Sequence, residues 1–216
     1  MVTFARAERA ALSELLRKVG PDAPTLCDGW RTADLAAHLV ARERRPDHGP
    51  GLMLRSMRGW TDRVRDGFKR RPYGELVDLV ESGPPRWSPF GLVPGLDSLV
   101  NSAELFIHHE DVRRAQPGWA PRELPAAVED DLWRMLRRGG RAFFRRAPVG
   151  IRLRRPGPAG RGGETVTVRP GSPTVTLTGR PSELLLYGFG RGANAQVDVD
   201  GDDAAVGRLA TTRFGL

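Results

Sequence analysis

The sequence predicts an α+β protein in which an N-terminal helical bundle precedes a small C-terminal α/β domain. Up to about residue 147, apolar residues recur at the three- and four-residue spacing of amphipathic helices. From residue 148 onward, short segments alternate apolar and polar residues, carry many β-branched side chains and are separated by Gly- and Pro-rich turns. We therefore expect two domains, residues 1–147 and residues 148–216.

In the first domain, capping residues and prolines bound the helices. Thr32 is the predicted N-cap of the second helix, Asp34 suits the positive first turn, and Pro46 ends the helix. The predicted helices cover residues 3–18, 32–45, 51–69, 74–82, 96–115 and 124–147.

In the second domain, three segments read as strands before a helix appears. They are VGIRLRR, ETVTVRP and TVTLTG. A helix is expected to open at Pro181, followed by a short strand in VDVDGD and a final helix over residues 203–212.

The composition excludes several classes of protein. The net charge is +8, but the arginines are scattered and mixed with acids, so we expect no specific nucleic-acid partner. No apolar run reaches the ~18 residues of a membrane span, and the N-terminus lacks the apolar region of a signal peptide. The single cysteine, Cys27, forms no internal disulfide and fits a reducing cytoplasm.

Most of the candidate functional residues lie in the stretch NSAELFIHHEDVRRAQPGW, residues 101–119. At about 100° per residue on a helix, Glu104, His108 and Asp111 fall on the apolar face. His109 falls on the opposite side, so the histidine doublet is divided between two faces. Glu104 and His108 lie one turn apart and meet.

Three arrangements would satisfy a carboxylate and an imidazole on an apolar face. The two side chains could pair only with each other, act as an acid/base pair, or hold a metal with a ligand from another helix. His38, between Leu35 and Leu39 on the second helix, could complete a two-nitrogen, one-oxygen set for a divalent metal such as zinc. Asp111 would then orient His108, and Asp34 would orient His38.

The segments WRTADLAAHL and ELFIHHEDV resemble those of the actinobacterial DinB-like metalloproteins, in particular the mycothiol-dependent maleylpyruvate isomerase group. The resemblance covers nearly the whole chain, since that group has a four-helix metal-binding domain followed by a small α/β domain. It implies three metal ligands, which map onto His38, Glu104 and His108, and a metal that is most often zinc.

The resemblance also implies the cofactor mycothiol and an arginine that approaches the site from the second domain. Arg191, in the turn GFGRG, is the candidate for that catalytic role. The predicted function is a metal- and thiol-dependent isomerase or S-transferase acting on a small electrophilic substrate. Two alternatives stay open, a metal-binding module or sensor without turnover and a hydrolase that uses zinc-bound water.

Overall fold

The computed structural model describes residues 4–45, 58–85, 87–88, 96–157, 162–212 and 214. The chain divides into two compact units, Met1–Ala120 and Pro121–Leu216. Within the described residues, eight α-helices and one four-stranded sheet confirm the predicted α+β class.

The first unit is helical. Its helices are α1 (Phe4–Val19), α2 (Thr32–Arg44), α3 (Arg58–Lys69), α4 (Tyr73–Ser82) and α5 (Leu96–Arg113). Helix α1 packs against α4 and α5, while α2 packs against α3 and α4. The predicted helix over residues 51–69 is observed from residue 58, and its first part lies outside the described residues.

The core of this unit forms from the apolar faces that the helical period predicts. Leu12 and Leu16 of α1, Leu35 and Leu39 of α2, and Leu105 of α5 are all buried in it. Removing this apolar area from water is the main force that holds the helices together.

The start of α2 differs from its prediction by one residue. Arg31, and not Thr32, is the N-cap, and its backbone N–H donates to Asp34 Oδ2 at 3.0 Å. Thr32 is the first helical residue and its hydroxyl donates to the carbonyl of Gly20. The helix begins within one residue of its predicted start, and the Asp34 carboxylate accepts the backbone N–H of the N-cap residue.

The second unit is a mixed sheet with helices. Its elements are α6 (Ala126–Phe143), β1 (Gly150–Pro156), β2 (Gly163–Arg169), β3 (Thr174–Thr178), α7 (Pro181–Gly188), β4 (Asp198–Asp200) and α8 (Asp203–Ala210). The strand order is β2-β1-β3-β4. Strand β1 runs antiparallel to β2 and parallel to β3, and β4 runs antiparallel to β3.

Helix α6 groups with the sheet, so the compact units divide at 120/121 whereas the sequence pattern changes at 147/148. Gly140 of α6 lies so close to Val168 of β2 that a Cβ would come within 2.6 Å of its Cγ1. Trp133 Nε1 of α6 donates to Glu164 Oε2 at 2.7 Å. The boundary of independently folding domains stays a prediction, which expression of residues 121–216 alone would test.

Candidate metal centre

Helices α2 and α5 bring three donor side chains to one point inside the first unit. His38 projects from α2, and Glu104 and His108 project from α5. The two histidines are 6% and 7% exposed, and their rings meet nearly edge to face, with centroids 5.3 Å apart. One ligand atom from each of the three residues lies within 4.8 Å of the others. The structure thus brings together the trio that the sequence singled out.

The distances in this trio are too long for hydrogen bonds. His108 Nε2 lies 3.5 Å from Glu104 Oε1, and His38 Nε2 lies 3.9 Å from the same oxygen. An N–H···O hydrogen bond spans about 2.7–3.2 Å. Ligands about 2.0–2.1 Å from a tetrahedral zinc ion are separated by about 3.4 Å, close to the shorter of the two distances. The donor set and its spacing therefore fit a divalent metal better than a closed Glu–His pair.

Asp111 fixes the orientation of His108. His108 Nδ1 lies 2.9 Å from Asp111 Oδ2, and Asp111 is fully buried. A carboxylate at this distance accepts the Nδ1 proton, which leaves the lone pair of Nε2 directed at Glu104. This is the orienting contact that the sequence suggested for Asp111.

Cys27 joins the same carboxylate from a distant part of the chain. Its thiol donates to Asp111 Oδ2 at 3.2 Å, and the backbone N–H of Leu26 donates to the carbonyl of Asp111 at 3.0 Å. Cys27, His108 and Asp111 also place three potential ligand atoms close together. Since the carboxylate already accepts hydrogen bonds from the other two, we interpret this second group as a support for His108 and not as another metal site.

Two further side chains surround the trio. The Nε atom of Arg42, one turn after His38 on α2, lies 3.6 Å from Glu104 Oε1, and its side chain is buried. The ring of Trp30 packs against His38 at a tilt of 54°, with centroids 5.1 Å apart, and Arg65 lies over Trp30. Sequence reasoning missed Arg42, although its i+4 spacing from His38 was a usable signal.

The surroundings shift the pKa values of the three side chains in different directions. Burial by itself raises the pKa of Glu104, but the neighbouring His108, His38 and Arg42 hold that pKa well below its ordinary value. Burial lowers the pKa of His38, and the proximity of His108 lowers it further. Burial also opposes the charged form of His108, yet Asp111, Cys27 and Glu104 raise its pKa well above the ordinary value. Glu104 is therefore an anion, as a metal ligand must be.

Asp34 and His109 make contacts with residues outside the trio. Asp34 does not orient His38, since its carboxylate binds Lys69 Nζ at 2.6 Å and the N–H of Arg31. His109 does point away from the trio, but it is buried and not exposed. Its Nδ1 lies 2.9 Å from Glu8 Oε2 of α1, a contact that a helical wheel for one helix does not predict.

Arg191 lies in the second unit, in the turn after α7. Its guanidinium donates to the carbonyl of Phe189 at 2.5 Å. The part assigned to Arg191 in catalysis stays a prediction.

Residues 5–86 match the sequence model of the mycothiol maleylpyruvate isomerase N-terminal domain, which spans α1 to α4 and includes His38. The match covers 82 of the chain's 216 residues. The expected relationship to the DinB-like mycothiol isomerase group is thereby confirmed.

Two crystal structures share the fold over most of the chain. They are of the mycothiol-dependent maleylpyruvate isomerase and of its mutant with alanine in place of a histidine. The identities are 17% and 16%, and each match has a TM-score of 0.60 and covers 91% of this chain and 90% of the other. At such identities the likeness establishes the fold alone. No curated protein sequence matches the chain.

Among the helices that the structure describes, none has the length and apolar character needed to cross a membrane.

Proposed function

We propose that His38, Glu104 and His108 hold one divalent metal ion, zinc by preference, in a mycothiol-dependent isomerase or S-transferase that acts on a small electrophilic substrate. The convergence of three donor atoms on one point carries this proposal. Two imidazole nitrogens and one carboxylate oxygen are a common ligand set for catalytic zinc, and they leave a position for a further ligand. The domain family and the shared fold support mycothiol as the thiol.

The chain itself prepares the site for an anionic thiolate. A zinc ion with an open position lowers the pKa of a thiol bound to it. Asp111 accepts a hydrogen bond from His108 Nδ1, so a metal would bind at Nε2, and Glu104 supplies the one carboxylate of the trio. Arg42 adds a buried positive charge within 3.6 Å of Glu104, which favours anions at this point.

Substrate binding is assigned to Arg191 as a proposal. Its guanidinium would hold a substrate carboxylate through two parallel hydrogen bonds. Such a protein works in a reducing cytoplasm, where low-molecular-weight thiols remain reduced and Cys27 remains a thiol.

Metal content is the first test, measured by mass spectrometry on the wild type and on Glu104→Gln and His108→Ala. About one equivalent of metal, lost in both variants, is expected. His109→Gln is the matched control, because it changes the adjacent imidazole without touching the trio. A wild type that takes up no zinc, or variants that keep theirs, would overturn the ligand assignment.

The thiol requirement is tested on protein loaded with cobalt(II), whose visible spectrum reports its ligands. Added mycothiol should change that spectrum, and isomerisation of maleylpyruvate or consumption of another electrophile should require the thiol. Ester or amide hydrolysis without thiol would identify the protein as a zinc-water hydrolase. Metal binding with no spectral response to thiol and no turnover would identify a metal-binding module or sensor.

A further inference from the structure

The sheet of the second unit has one apolar face under helices and one polar face open to solvent. Ile151, Leu153, Val175 and Leu177 are fully buried on the apolar face. Alternate residues of each strand point the other way. They form what we call the polar sheet face, which consists of Arg152, Arg154, Thr165, Thr167, Thr176, Thr178, Asp198 and Asp200.

The strand register orders this face into two equal rows. In the first row, Arg152 of β1 lies between Thr167 of β2 and Thr176 of β3, and Thr176 is paired with Asp200 of β4. Each row therefore reads Thr–Arg–Thr–Asp across the sheet.

The second row repeats the pattern one side-chain period away. Arg154 lies between Thr165 and Thr178, and Thr178 is paired with Asp198. In both rows a threonine column separates the arginines from the aspartates, by about two strand spacings or ~9.6 Å.

The four charged side chains of the polar sheet face are exposed. Arg152, Arg154, Asp198 and Asp200 make no ion pair or side-chain hydrogen bond within the residues that the structure describes. The face carries two positive and two negative charges and is neutral, although the chain as a whole carries +8. A polyanion such as nucleic acid would meet the aspartates, so this face does not suit one.

The charge pattern is complementary to itself under one particular symmetry. Strands β1 and β4 flank β3 on either side. A two-fold axis that runs along β3 places β1 of one copy over β4 of a second copy and keeps each row opposite its equivalent. Arg152 then faces Asp200 of the second copy, and Arg154 faces Asp198. An axis perpendicular to the strands would instead place arginine over arginine.

We propose that the polar sheet face is an isologous self-association surface, at which two copies of this chain join through four reciprocal Arg–Asp pairs. Packed sheets lie ~10 Å apart, a distance that an arginine and an aspartate bridge together. The proposal is independent of the metal centre, since it uses residues of the second unit alone.

The size of the surface makes the association weak. Three overlapping strands, ~14 Å across and ~17 Å long, give a footprint on the order of 250 Å² per copy. A standard interface buries about 800 Å² per partner. Exposed ion pairs are screened by salt, so the dimer should form only at high protein concentration and should dissociate in about 1 M salt.

Sedimentation velocity on the full chain tests the proposal, over a series from about 10 μM to about 1 mM in about 0.1 M salt. The variants are Arg152→Glu with Arg154→Glu, and Asp198→Arg with Asp200→Arg. Wild type should shift toward the dimer as concentration rises, and each double variant should stay monomeric. An equimolar mixture of the two should form a heterodimer, because one face is now wholly negative and the other wholly positive. Recovery in the mixture also shows that both variants are folded.

The matched control is Arg138→Glu with Arg141→Glu, which changes the net charge equally on the exposed side of α6 and should leave self-association unchanged. Backbone amide shifts recorded against concentration should move at β1, β3 and β4. A wild type that stays monomeric to the highest concentration overturns the proposal. Variants that associate like wild type, or a mixture that does not associate, also overturn it.

Discussion

Replacement of Asp111 tests how the metal centre is built. Asp111 is fully buried, and its Oδ2 atom accepts hydrogen bonds from both His108 Nδ1 and Cys27 Sγ. Asp111→Asn keeps the shape and one acceptor but removes the negative charge. Asp111→Leu removes the acceptor as well and leaves two buried donors without it.

The expected loss of metal affinity follows from the role of a carboxylate that orients a metal-bound histidine. Loss of a carboxylate that orients a metal-bound histidine typically weakens metal affinity by about 10- to 100-fold, or about 1.4–2.8 kcal/mol. We expect Asp111→Asn near the lower limit and Asp111→Leu near the upper limit. The leucine variant should also lower the free energy of unfolding by about 1–3 kcal/mol, because His108 and Cys27 lose their acceptor.

The pH dependence of this loss has a defined sign. Asp111 raises the pKa of His108, so in the wild type a metal ion must displace a proton over a wider range of pH. In Asp111→Asn the negative charge is absent, so the pKa of His108 falls and protons compete less strongly with the metal for His108. The loss of affinity in Asp111→Asn should therefore be largest at alkaline pH and smaller near pH 6, about half a unit below the ordinary histidine pKa of ~6.5.

The assay is competition for zinc with a chromophoric chelator at several pH values, with Cys27→Ser as control. The serine variant keeps a donor to Asp111 and should bind metal within about threefold of wild type, a change under ~0.7 kcal/mol. If Asp111→Asn binds zinc as tightly as wild type at alkaline pH, Asp111 does not orient a metal ligand and the reasoning fails.

Three further outcomes are expected. Asp34→Asn should destabilise the protein by about 1 kcal/mol at pH 7. Burial opposes the charge of Asp34, but Lys69 lowers the pKa of its carboxyl. The stability that the ionised Asp34 contributes is therefore present above its unfolded pKa and disappears as the pH falls through the lower folded pKa. Urea unfolding at pH 7 and pH 3 would measure how much of the free energy of unfolding is lost. His109→Gln should cost about 1–3 kcal/mol of stability, since it disturbs the buried contact with Glu8, while the metal content stays at the wild-type level. Arg191→Ala should raise KM for an acidic substrate by tenfold or more, about 1.4 kcal/mol, and retain the metal; a variant that loses its metal would show that this arginine is structural.

The ligand trio is the part of the site that local sequence could determine. A helix fixes the direction of each side chain through its period, so the separation of His108 from His109 follows from counting residues. The same period places Ala103 and Ile107 on the buried face beside Glu104, as observed. The match of residues 5–86 to a known domain family confirms the relationship that motifs near His38 suggested.

The surroundings of the trio depend on which helix faces meet, and a single helix carries no information on that. Cys27 reaches Asp111, and Glu8 reaches His109, across long separations in sequence. The helical period placed His109 away from the trio but did not predict its burial against Glu8, because the period gives a direction and not what lies in that direction. Asp34 was expected to serve His38, yet the approach of Lys69 from α3 gives it a different partner.

The sequence by itself determined the fold class, the helix and strand order, and the three residues that we propose as metal ligands. The elements and the pairing of Glu104 with His108 rest on a local period, which short-range sterics and the burial of one face enforce, whereas His38 was added by its place on a second apolar helix and by the family resemblance. Tertiary structure alone decided that Arg42 and Trp30 border the trio, that α6 packs on the sheet, and that the strand register aligns Arg152 and Asp200 in one row. Those outcomes arise from long-range packing, in which complementary surfaces select one another only after the elements have formed.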